Sequence, residues 1–194
     1  MQSDHTHRNT DQPRSATAVD RLHVELSATE NRGDAGEDRQ STVRPAMTFL
    51  LNFLANDVDP PLKEWLGDQL ACIASNSDMV PGRVTIVLVN DAHMTKLHKQ
   101  YKGTADTTDV LTFDMRDQPT DPLEADVVIC LDEAARHPND TRHEVLLYAI
   151  HGLLHLLGYD DHDPQDAAAM HRKEDEWLTK IGIGPVYQHE QLDV

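Results

Sequence analysis

Between positions 47 and 182 the apolar residues fall into short runs separated by polar breaks, and the spacing inside each run predicts its structure. "VTIVLV" (84–89) is β-branched, short and bounded by Pro81-Gly82 and Asn90-Asp91, which predicts a buried strand. "TDVLTFD" (108–114) and "DVVICL" (126–131) predict two more. "MTFLLNFL", from Met47, fits a strand or a helical turn, since periodicity does not separate the two over so few residues. Other segments carry helical spacing and end signals. "DPPLKEWLGDQLACIA" has Asp59 as N-cap and Pro60 at N1, with Leu62, Trp65, Leu66, Leu70 and Ile73 on the buried face. "DAHMTKLHKQYKG" ends at Gly103, with Met94, Leu97 and Tyr101 facing inward. Thr141 opens a third helix through a capping box with Glu144, and Gly158 closes it. Asp163 and Pro164 open a fourth that stops at Gly182. Four helices interspersed with three or four strands predict a single α/β (α+β) domain.

Composition limits what such a domain can be. The chain has 194 residues, of which 39% are hydrophobic, enough for one ordinary core. Residues 1–44 are polar and mixed in charge; apart from one short candidate strand, "LHVEL" (22–26), they predict a largely disordered extension. That leaves residues 45–187 as the folded domain and 188–194 as a C-terminal tail. The first twenty residues lack the apolar stretch of a signal peptide, and no apolar run approaches the ~20 residues that cross a bilayer, so a cytoplasmic protein without a membrane is expected. Cys72 and Cys130 show no CxxC spacing, which argues against a disulfide framework or a thiolate zinc site. Net charge is −17, and 26 of the 34 acids against 11 of the 17 bases lie beyond Arg44. So acidic a domain has no general attraction for nucleic acid, so an RNA-facing role needs a local basic patch or a metal ion.

The most apolar segment also carries the most distinctive chemistry. "RHEVLLYAIHGLLHLL" (142–157) is apolar on nearly every side, the mark of a buried central helix, yet it holds His151 and His155 four residues apart. Positions i and i+4 share a helix face, so both imidazoles point the same way and can each give one nitrogen to a tetrahedral zinc. Gly158 allows a sharp return of "YDDHD" toward that face. His162 is favoured as third ligand, leaving a fourth position open as in catalytic sites. Asp161 competes for the role, because an HxxxHxxGxxH pattern would place the last ligand at 161. The residue after His151 is Gly152, where HExxH peptidases keep their glutamate base. His98, His137, His143 and His171 are expected at the surface or in the core, not as ligands. Thr108 and Asp109 fit either substrate contact or strand-end hydrogen bonding.

These residues resemble a known family. "HGLLHLLGYD", preceded by "LLYAI" and followed by a further histidine, looks like the YbeY family of rRNA maturation endoribonucleases. "YKGTADTTDVLTFD" (101–114) resembles the family's Y-R-x-K-x-x-T-D-V-L-S-F block, and "EADVVICLDEA" (124–134) is similar to its G-D-I-V-I-S segment. The blocks run in the family's order over about residues 60–182. The resemblance implies a single α/β domain with a mixed three- to four-stranded sheet packed with helices, and one Zn2+ on His151, His155 and His162. It also implies single-strand-specific RNA cleavage in late 16S rRNA 3′-end processing and ribosome quality control, with the 16S precursor and the ribosome as partners and assembly factors alongside them. Two departures stand out. "GYDDH" is one residue longer than the family's G-Y-D-H, and Lys102 replaces an arginine linked to activity. Lysine keeps the charge that meets a phosphate and loses the bidentate fork. Lys96, Lys99 and Lys102, three apart, would form a short basic stripe, or simply a solvated face. Rival readings are a zinc hydrolase of peptide or amide bonds, against which Gly152 counts, and a noncatalytic ribosome-assembly factor with a structural zinc.

Overall fold

The computed structural model describes residues 47–55, 58–76 and 81–187. The expected N-terminal extension, its "LHVEL" strand and the 188–194 tail lie outside these. Four strands, β1 (Met47–Phe53), β2 (Gly82–Val89), β3 (Val110–Asp114) and β4 (Leu123–Cys130), form one sheet in the order β1-β2-β4-β3. β1, β2 and β4 run parallel, and β3 is an antiparallel edge strand paired with β4. Five helices accompany them: α1 (Pro60–Asn76), α2 (Asp91–Lys102), α3 (Leu131–Arg136), α4 (Thr141–Leu156) and α5 (Pro164–Lys180). The ambiguous "MTFLLNFL" is thus a strand. The short α3, which begins at Leu131 where the sequence predicts the last residue of a strand, is an addition.

Strand alternation explains the layering. On β2 and β4 one set of alternate side chains, Val84, Ile86, Leu88, Ala125, Val127 and Ile129, joins the main core with residues of α1, α4 and α5. The opposite set, Val87, Val89, Val128 and Cys130, is buried too. α2 packs against β4 with Met94 and Leu97 buried. Central parallel strands covered on both faces read as unbroken apolar runs, and "VTIVLV" does so.

α4 lies in the centre, against β3, β4, α1, α3 and α5. Its Val145, Leu146, Ala149, Ile150, Leu153 and Leu154 are fully buried, so the helix that carries the two histidines has little freedom to move. Gly152 explains how close it comes to the sheet. A Cβ there would lie 2.8 Å from Val127 Cγ1 and 2.9 Å from Thr112 Cγ2. The position therefore excludes a glutamate on packing grounds.

Three details depart from the sequence reading. α4 is capped by Asp140, whose side chain accepts from the Arg142 N–H, and not by Thr141. Glu144 is consequently one place too deep for a capping box; it is buried and accepts from Asn139 Nδ2 (2.7 Å) and pairs with His137 Nδ1 (2.9 Å). Tyr101 is 45% exposed, its ring edge-on to Phe113 at 4.8 Å and not in the core. Trp65 is half-buried, with its ring beside the His143 imidazole and the Arg142 guanidinium. Cys72 and Cys130 are not joined by a disulfide.

Two outcomes follow from this packing. Gly152→Ala should lower the urea midpoint by the equivalent of about 1–2 kcal/mol, because overpacking against two stiff β-branched side chains outweighs the ~1 kcal/mol gained in helix propensity; unchanged stability would contradict the close contact. The hydrogen bond from Arg142 holds the Asp140 carboxyl down to about 2 from 3.8, so its contribution is present above pH 3.8 and is lost as the pH falls through about 2. The melting-temperature gap between the protein and Asp140→Asn should therefore close across that window.

Candidate metal centre

α4 ends in a Schellman turn. The Gly158 N–H bonds to the His155 carbonyl (3.0 Å) and the Tyr159 N–H to the Leu154 carbonyl (3.0 Å), with Gly158 at φ +94°. This turn sends the chain back over the last helical turn and places the Tyr159 carbonyl 3.1 Å from His155 Nδ1. A carbonyl oxygen carries no hydrogen, so Nδ1 of His155 donates and the neutral ring keeps its lone pair on Nε2. His151 is held in the same way from the other side: its Nδ1 lies 2.9 Å from Oε1 of Glu174, a carboxylate on α5 with no exposure to solvent.

With both Nδ1 atoms engaged, both Nε2 atoms face each other at 3.1 Å, the rings edge to face. Asp161 completes the group, with Oδ2 3.6 Å from His151 Nε2 and Oδ1 3.8 Å from His155 Nε2. Three acceptors thus converge on one point, and a positive charge is needed to relieve their repulsion. Burial lowers the His151 pKa, but the Glu174 hydrogen bond and the charges of Glu174, Asp161 and Asp109 raise it, and the net shift is upward. Burial, and after it the charges of Glu144, Asp109 and Glu133, push the Tyr148 hydroxyl up to about 12. A divalent ion would serve where the proton does. Zinc bonds of about 2.0–2.1 Å at tetrahedral angles put donor atoms roughly 3.3 Å apart, and the observed separations bracket that value. The two imidazoles and the carboxylate therefore fit a metal.

The other sequence candidates are placed around this point. His162 is 87% exposed on its side chain, and its Nδ1 contacts Asp160 Oδ1. Among the described residues, donor atoms within 4.8 Å of one another group as His151, His155 and Asp161, and as Asp160, Asp161 and His162. Lys102 is exposed at the end of α2, close enough for its charge to act on the His162 ring. Lys96 and Lys99 are exposed on the same helix. Asp109 accepts from the Val110 N–H (2.8 Å) and Thr108 Oγ1 (3.0 Å), a strand-end arrangement that also aims its charge toward His151. The five other described histidines have structural partners: His93 with Asn90, His98 with Asp106 and Thr104, His137 with Glu144, His143 with Trp65, and His171 stacked on Tyr187 at 3.9 Å.

Glu174 is the residue that the sequence reading missed. A signal for it existed. Met170, Glu174, Trp177 and Leu178 share the buried stripe of α5, and a carboxylate in an apolar stripe calls for a partner.

A mixed sheet packed against a central helix that carries a histidine pair is an arrangement whose sequence matches a family of endoribonucleases. The model described as "Endoribonuclease YbeY" matches residues 50–182. A relative named endoribonuclease YbeY from Anaeromyxobacter sp. (strain Fw109-5) is 45% identical over 105 residues, covering 52% of this chain and 55% of its own length. One of the same name from Carboxydothermus hydrogenoformans is 33% identical over 131 residues, covering 66% of this chain and 91% of its own. The solution structure of TM1509 from Thermotoga maritima shows 25% identity and a TM-score of 0.48, covering 68% of this chain and 89% of that one. The chain belongs to the YbeY endoribonuclease family.

In metal-free protein His151 should titrate above 6.5, and Glu174→Gln should bring it down, as read by NMR of the imidazole protons. The charged ring's contribution to stability is full below pH 6.5 and is lost as the pH rises through the raised value. A His151 pKa unmoved by Glu174→Gln would contradict the pairing.

Proposed function

We propose that this protein is a zinc-dependent, single-strand-specific endoribonuclease of the cytoplasm, acting in late 16S rRNA 3′-end processing and ribosome quality control. The observation that carries the reading is the convergence of His151 Nε2 and His155 Nε2, 3.1 Å apart, with a third donor supplied by the Asp161–His162 turn. Family membership supplies the substrate class, RNA. The catalytic domain is residues 45–187, within which the family match falls.

When bound, zinc lowers the pKa of a water molecule toward about 7 and stabilises negative charge on a phosphoryl oxygen. The chain's own residues do the rest. His151 and His155 are held in fixed tautomers by Glu174 and the Tyr159 carbonyl, so each presents Nε2 without reorganisation. Lys102 stands at the rim as a point charge for the scissile phosphate. Lys96 and Lys99 extend that positive line along α2, against an acidic whole. So limited a basic surface implies weak intrinsic affinity for RNA, with ribosomal or assembly-factor proteins contributing the targeting. Gly152, pressed against Val127 and Thr112, leaves no room for the glutamate of an HExxH peptidase.

The test is cleavage of a single-stranded 16S 3′ precursor by purified, zinc-loaded protein, with casein as a parallel substrate. Cleavage of the RNA alone, abolished by chelation and reduced at least ~100-fold in a His151→Ala protein with unchanged circular dichroism, is the expected result. Undiminished cleavage after chelation, or cleavage of casein and not RNA, would overturn the reading. So would an unfolded His151→Ala, which would make the metal a structural staple.

A further inference from the structure

The geometry points to a third ligand different from the family's: in this chain the Asp161 carboxylate, not a histidine, completes the metal centre, and His162 stands outside it. The inference rests on the proposed metal site and names its composition.

Chain length makes the first argument. "GYDDH" is one residue longer than G-Y-D-H, so the residue that follows Gly158 at the family's histidine position is Asp161. Both ends of the loop are fixed. At its start the Schellman turn anchors Gly158 and Tyr159, and the Tyr159 carbonyl is tied to His155 Nδ1. At its end Asp163 caps α5 by accepting from the Gln165 N–H at 2.8 Å. Between them Asp160 accepts from the Asp161 N–H (2.8 Å) and the His162 N–H (3.3 Å) through Oδ1. That local turn aims the Asp161 side chain inward, to 3.6 Å and 3.8 Å from the two Nε2 atoms. It leaves the next side chain on the outer side of the carboxylates, where the 87% exposed His162 meets Asp160 and has its Nδ1 3.8 Å from Asp161 Oδ1. The extra residue therefore moves an acid into the ligand position and displaces the imidazole.

A carboxylate in place of a neutral imidazole changes the chemistry of the centre. The centre as a whole would carry one unit less positive charge, and an oxygen ligand harder than nitrogen would widen the tolerated metals toward manganese. His162, released from coordination, stays within range of the Lys102 charge.

Zinc affinity of the full chain, measured by competition with a chromophoric chelator, separates the possibilities. Cobalt(II) absorption of the same proteins reports coordination independently of activity. Asp161→Ala should weaken zinc by at least the ~10–100-fold that even an outer partner of a ligand costs, and it should alter the cobalt spectrum. Asp161→Asn, which keeps the shape, should behave likewise. His162→Ala should retain zinc affinity within about 3-fold and keep the cobalt spectrum, against that same ~10–100-fold scale. Loss of affinity in His162→Ala, alone or together with Asp161→Ala, overturns the inference and leaves the metal enzyme intact with a histidine ligand. A wild-type chain that binds no zinc overturns the metal site itself.

Discussion

Two imidazoles on one helix can point at the same place only if something holds each ring by its other nitrogen. Here the Glu174 carboxylate does this for His151 and the Tyr159 carbonyl for His155. Everything chemical in the site follows from that constraint. The two Nε2 atoms meet, the Asp161 carboxylate joins them, and the resulting concentration of acceptors favours a cation. Free rings on a surface helix would avoid such a meeting by rotating away.

The scaffold exists to make that constraint hold. α4 is wedged between the sheet and α5, close enough to β3 and β4 that Gly152 is the residue that fits. α5 brings Glu174 to one side of the pair, and the turn after Leu156 brings Tyr159 and Asp161 to the other. A helix buried on nearly all sides keeps its ring positions to within the tolerance of its packing, since close-packed cores do not deform continuously. The two rings, 21% and 28% exposed, remain partly accessible to solvent.

Much of this was legible in the residues. The β-branched runs gave three of the four strands, and Pro60, Gly103, Gly158, Pro164 and Gly182 marked helix ends correctly, because these residues act through local backbone geometry. Local signals failed where a competing partner intervened. Asp140 outcompeted Thr141 as the cap, and Glu144 was drawn into a buried pair with Asn139 and His137. The histidine pair was visible because i, i+4 spacing is itself a spatial statement. The apolar stripe of α5 marked Glu174 as needing a partner, but not that the partner is His151, because that contact spans 23 residues and depends on how α5 crosses α4. The orientation of the "YDDH" turn was likewise set by hydrogen bonds to Asp160 that spacing does not encode.

The central claim is that this arrangement is a divalent-metal site built from imidazole nitrogen and oxygen. X-ray absorption at the zinc edge of the purified, zinc-loaded chain tests it most directly. The account predicts one tightly held zinc per chain with a nearest shell of nitrogen and oxygen at about 2.0–2.1 Å and the outer scattering of two imidazoles. A spectrum without imidazole scattering, or a shell at the ~2.3 Å of sulfur, would contradict it.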